Sequence, residues 1–195
     1  MKPPKQKTMD LTQVYQIKVT LKGSRPPIWR RLQVPGDITL AKLHRILQVA
    51  MGWFDSHLHQ FKIGRAYYGI PDKELFSNFF SDTKDEKRFK LQQLPLREKS
   101  KFVYEYDFGD SWEHEILVEK ILPREEGQHY PCCLKGKGAC PPEDVGGIWG
   151  YADLLEALSD PQHPDREDML EWVGGEFDPG AFDLDEVNRN FKRIR

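Results

Sequence analysis

The sequence predicts an α+β fold: a mixed or antiparallel sheet with a β-hairpin-then-helix start and a helical C-terminal segment. Three features of the 195 residues carry that expectation. Apolar residues alternate with period two in several short runs, the mark of half-buried strands. One amphipathic helical pattern interrupts them early, and helical spacing returns only in the last quarter. Strands followed by a run of helices separate this class from a doubly wound parallel sheet, in which the two would alternate.

Residues 1–12 are polar and proline-punctuated with nothing periodic to pack, so a flexible tail is expected there and a single domain over 13–195. In VYQIKVTLKG, Tyr15, Ile17, Val19 and Leu21 alternate with Val14, Gln16, Lys18 and Thr20, as in a strand with one wet side. SRPPIWRRLQVPGD turns at Pro26 and Pro27 and offers a second strand from Ile28 to Val34. Thr39 is then placed to cap a helix whose Leu40, Leu43, Leu47 and Ala50 share a face, with Gly52 ending it in a left-handed conformation. Strand, turn, strand and helix in that order match the start of a β-grasp domain.

SHLHQFKIGRAYYGI reads as a further strand with His57, His59, Phe61 and Ile63 on one side. Periodicity is lost from Pro71 to Ser100, where KDEKRFK reads as a solvated loop or short helix. The clearest hairpin follows, with Phe102, Tyr104, Tyr106 and Phe108 answered by Trp112, His114, Ile116 and Val118. A loop of Gly109, Asp110 and Ser111 pairs Phe108 with Trp112 and Tyr106 with His114. Tyr151, Leu154, Leu155 and Leu158 form one helical face, and Pro164 opens a second helix with Asp165, Glu167 and Asp168 in its first turn. Asp183 starts a third, with Glu186 for a capping box and Phe182 and Val187 for a hydrophobic staple.

A chain of this length buries a core without disulfides or metal, so stability requires no cofactor. No apolar run is long enough to span a bilayer, and MKPPKQKTMDLTQ lacks the apolar segment of a signal peptide. Three cysteines, two of them adjacent, make no disulfide framework and imply a reducing cytoplasm. Charge is unevenly spread: Met1 to Ala50 carry ten Lys and Arg against Asp10 and Asp37, whereas fourteen acids face five bases from Pro141 onward. Such asymmetry suits either a nucleic-acid-facing end or two ends that attract each other.

IWRRLQVPGDITLAKLHRILQVAMGW, SHLHQF, YEYDFGDSWEHEI and ACPPEDVGGIWGY, in that order, resemble the Ri-plasmid open-reading-frame-three-like family, the plasmid pRiA ORF-three-like proteins. The likeness runs from Tyr15 to Phe191. It implies no defined activity, since the resolvase and repressor labels attached to such proteins name no chemistry. Ser24, beside Arg25 in a proline-rich turn, has no base to activate it as a recombinase nucleophile. The resemblance also implies a cysteine after CPPED, where this chain has Val145, so no cysteine site is carried over.

The residues themselves offer four chemistries. His57, His59 and His114 would form a metal site if their strands are neighbours, and a divalent metal is the one cofactor to consider. Cys132, Cys133 and Cys140 lack the paired spacing of structural zinc. DFGD is no kinase triplet, because neither a glycine-rich phosphate loop nor a catalytic loop accompanies it. Arg25, Arg30, Arg31 and Trp29 would face nucleic acid if they formed a patch, but Arg30 and Arg31 must point to opposite sides of a strand. The leading expectation is a non-catalytic binding module with Asp107, Asp110, Trp112, His114, Glu143, Asp144 and Trp149 as its recognition surface for a protein, peptide or small molecule. The alternatives are a metal-dependent hydrolytic enzyme with a His and carboxylate site, and a nucleic-acid-associated protein. In CPPEDVGGIWGY the prolines and glycines stiffen a corner and Trp149 and Tyr151 are expected to anchor the next helix, which leaves Glu143 and Asp144 without a structural explanation.

Overall fold

The computed structural model describes residues 13–71 and 83–194, so the expected tail at 1–12 lies outside the described residues. The strands are β1 (Gln13–Leu21), β2 (Trp29–Pro35), β3 (His59–Ile63), β4 (Ala66–Gly69), β5 (Lys84–Asp85), β6 (Lys101–Tyr106), β7 (Trp112–Pro123) and β8 (Cys132–Lys137). The helices are α1 (Leu40–Met51), α2 (Gly147–Ser159), α3 (Arg166–Trp172) and α4 (Leu184–Phe191). All eight strands form one sheet in the order β5, β4, β3, β6, β7, β1, β2, β8. Its pairings are antiparallel except for the short edge pair of β4 and β5. The α+β class holds, with the expected start of two paired strands followed by a helix and the expected helical C-terminal segment.

Alternation decides which face is dry. Ile17, Val19, Leu32, Val34, Phe61, Tyr104, Tyr106, Trp112, Ile116 and Val118 are buried on one side, where Leu40, Leu43, Ile46 and Leu47 of α1 pack against them. On the other side Lys101 pairs with Glu115 across the neighbouring strands β6 and β7, and Arg31 reaches from β2 over β1 to Glu119 of β7. Thr39 caps α1 by accepting the Lys42 N–H at 3.2 Å, and Gly52 ends it at φ 110°. Asp183 caps α4 by accepting the Glu186 N–H.

Arg30 is a charged residue within the dry face. It is buried, and its guanidinium donates to the carbonyls of Ala50, Trp29, Lys137 and Gly138, tying the end of α1 to β2 and β8. It is therefore unavailable to nucleic acid. Arg31 is held by Glu119, and Trp29 lies beneath Lys18 and Arg31. With Arg25 exposed in the turn, these four side chains do not make one surface.

The hairpin differs from expectation by one pair. Tyr106 faces Trp112, Tyr104 faces His114 and Phe102 faces Ile116, so the aromatic faces still meet but the connection is Asp107 to Ser111. The reason is local. Asp107 and Ser111 take left-handed φ values of 57° and 53°, the Asp107 carbonyl accepts the Ser111 N–H, and its carboxylate accepts the Gly109 N–H at 2.8 Å. An aspartate that satisfies its own turn ends β6 two residues early, so the same faces still meet. KDEKRFK is likewise not simply solvated: Glu86 within it is buried in a short 3-10 turn.

Candidate functional site

The site is organised by the loop that leaves α1. Because Gly52 turns the chain back, both the Gly52 and Trp53 N–H groups bond the Gln48 carbonyl, and Trp53 drops onto Tyr106 with ring centroids 4.9 Å apart. Its indole N–H donates to the Pro141 carbonyl at 3.1 Å, fixing the CPPED loop beside the loop after α1. On the far side Asp110 accepts the Gly146 N–H. Gly147, at φ 69°, crosses so close to the Asp110 carbonyl that a Cβ there would lie 2.4 Å from it. The hairpin end and the CPPED loop are thus neighbours.

Their meeting creates an outer cluster around His57. Its Nδ1 lies 3.6 Å from Asp107, and its Nε2 lies 3.3 Å from Glu143 and 3.2 Å from Asp144. That Nε2 is out of solvent contact yet makes no hydrogen bond. Glu143 is positioned by the Phe54 N–H at 2.9 Å and by the Tyr106 hydroxyl, which also accepts the Ser56 N–H. Burial, and then the neighbouring Glu143 charge, push the Tyr106 hydroxyl above its usual range, so it remains a donor. Among the described residues, the ion pairs of Asp107, Glu143 and Asp144 are with His57 alone. Ligand atoms of His57, Asp107 and Asp144 all lie within 4.8 Å of one another.

An inner cluster lies on the other side of the same loop. The His44 and His59 rings stack face to face, 3.4 Å apart and within 2° of parallel. His44 meets Asp55 through Nε2 at 2.7 Å and the Tyr104 hydroxyl through Nδ1 at 2.8 Å. His59 meets the buried Glu86 through Nε2 at 2.8 Å. Burial, reinforced by the neighbouring His59, holds His44 down at about 4, so its imidazole is neutral at pH 7. Three of the five non-glycine residues with left-handed φ among those described are Asp55, Asp107 and Asp144, all members of these clusters. Aspartate tolerates that conformation better than most residues, and here each carboxylate lies beside a histidine.

His57, His59 and His114 are not brought together. His57 precedes β3 and belongs to the outer cluster, His59 belongs to the inner one, and His114 is wholly buried between Trp53 and Tyr104. Trp112 is buried as well, so neither it nor His114 presents a surface. Trp149 does not anchor α2, since it is 81% exposed and Tyr151 alone of the two is buried, but that exposure is compatible with its place on the expected recognition surface. Phe54, at the outer cluster's edge, is equally exposed. The thiols are poor ligands, because burial pushes Cys133 up to about 11 and Cys132 and Cys140 upward too. His44, Gln48, Asp55, Glu86, Tyr104 and Tyr106 were not singled out by sequence as site residues. His44 carried one signal, a histidine in phase with the apolar face of α1, whereas Glu86 was hidden in a charge run.

Comparison with other proteins gives a consistent kinship. The sequence pattern of the family described as Plasmid pRiA4b ORF-3-like protein matches residues 13–186. The uncharacterized protein y4hQ of Sinorhizobium fredii is 41% identical over 178 residues, covering 90% of this chain and 89% of its own. The crystal structure of MM3350, a protein of unknown function from Methanosarcina mazei Go1, matches with a TM-score of 0.83 at 40% identity. That match covers 91% of this chain and 98% of the other.

Proposed function

We propose that this chain, which belongs to the plasmid pRiA4b ORF-3-like protein family, is a binding module whose recognition centre is a divalent cation held by His57, Asp107 and Asp144, with Glu143 beside His57. The carrying observation is the convergence of three carboxylates on a single imidazole, with no Lys or Arg among their described ion-pair partners. Like charges kept this close repel unless a cation joins them, and an oxygen-rich set with one nitrogen suits Mn²⁺, Mg²⁺ or Ca²⁺ better than a soft metal. Asp144 is largely exposed, which supports an open side where the cation would accept carboxylate or phosphate oxygens of a ligand. The exposed Phe54 beside Glu143 offers apolar contact to the rest of it.

Calorimetric titration of tag-free, chelator-treated protein with Mn²⁺ tests this reading. The expected result is saturable binding that Asp107→Asn and Glu143→Gln each weaken at least tenfold. Absence of saturable heat, or unchanged affinity in both variants, overturns it. Turnover of simple ester or phosphodiester probes by the cation-loaded protein would replace the binding role with the hydrolytic one.

A further inference from the structure

We infer that the ligand of the outer cluster is a nucleoside phosphate, its phosphate held by the cation and its base lying against Phe54 in an adjoining groove; this rests on the cation reading above. Among the described residues, a groove of about 620 Å³ runs between the end of α1 and α4, within the roughly 300–1,000 Å³ usual for small-molecule sites. Phe54 joins the two places. Its backbone N–H holds Glu143 at 2.9 Å on the cluster side, while its side chain lines the groove and stays 81% exposed. A phenyl ring left this open offers its face to a planar ring, and Trp53 lines the groove beside it.

Charge divides the ligand between the two places. In the groove Arg45 and Arg193 are balanced by Asp55 and Glu186, so a neutral body is favoured there over a second anion. The cluster is the reverse: its three carboxylates repel an anion until a divalent cation is bound, and the cation then draws phosphate oxygens. Val49 and Ile194 give the groove apolar walls, and Glu186 and Asn190 on α4 offer an acceptor and a donor to the polar edge of a base. A sugar phosphate without a base would leave Phe54 and the groove to water. A nucleoside without phosphate would leave the cation hydrated. Only a ligand carrying both parts uses both places, and its binding makes and breaks no covalent bond.

Calorimetric titration of the Mn²⁺-saturated protein with each of the common ribonucleoside monophosphates is the test, with ribose phosphate and the free nucleosides as controls. At least one nucleotide is expected to bind saturably and at least tenfold more tightly than ribose phosphate or its own nucleoside. Phe54→Ala keeps the backbone N–H that holds Glu143, so it is expected to leave Mn²⁺ affinity unchanged while weakening that nucleotide at least tenfold. The proposal is overturned if no nucleotide binds, if ribose phosphate or the nucleoside binds as tightly, or if Phe54→Ala binds the nucleotide as the parent does. Absence of Mn²⁺ binding removes the cation reading and this inference together, whereas Mn²⁺ binding without a preference for nucleotides removes this inference alone.

Discussion

His114 shows what one buried imidazole costs the chain as pH falls. Its Nε2 has no hydrogen-bond partner, and burial lowers it to about 4 from an ordinary 6.5. Between those values the unfolded chain binds a proton that the folded chain refuses, so stability is complete above pH 6.5 and declines as pH drops toward 4. The slope from this group is about 1.4 kcal/mol per pH unit. Urea unfolding from pH 7 to 4.5 is expected to show a shallower decline in His114→Phe than in the parent, whatever the absolute stabilities. Gly147 is a second sensitive position. Its left-handed φ and its approach to Asp110 leave no room for a side chain, so Gly147→Ala is expected to cost roughly 2 kcal/mol, measured by thermal unfolding.

At the level of elements, Arg30 joins β2, β8 and the end of α1, with Phe182 stacked 4.4 Å from its guanidinium. Arg30→Met is expected to leave buried carbonyls unpaired and to reduce unfolding free energy by about 3 kcal/mol in denaturant titration. Strand alternation, the Thr39 cap and the Gly52 stop were readable in sequence because each is a short-range rule. The hairpin register was not, since Asp107 bonding its own turn competes with the tidier loop that pattern alone suggests. Glu143 and Asp144 stood out as acids that a stiff corner could not explain, and they do meet His57. Their counterparts Asp55 and Glu86 were unreadable, because only the closing of β3 against the segment after it brings Glu86 to His59.

For the whole molecule, packing brings the two ends of the chain together, although Lys22 and Arg31 pair with Glu113 and Glu119 rather than with C-terminal acids. The acid-rich C-terminal region returns to the basic first part, where Lys42 donates to the Ile194 carbonyl at 3.2 Å. With Arg30 buried and Arg31 paired, fluorescence anisotropy at about 150 mM salt is expected to detect no saturable binding to duplex DNA. Steeply salt-dependent binding would instead restore the nucleic-acid reading. The stretch from Trp53 to His59 carries a different consequence, for tolerance to insertion and deletion. Asp55 and His59 serve the inner cluster while His57 between them serves the outer, so the segment works only at its present length. A substitution there disturbs one cluster of contacts, but gain or loss of a single residue would disturb both, making this short connection less permissive than surface loops usually are.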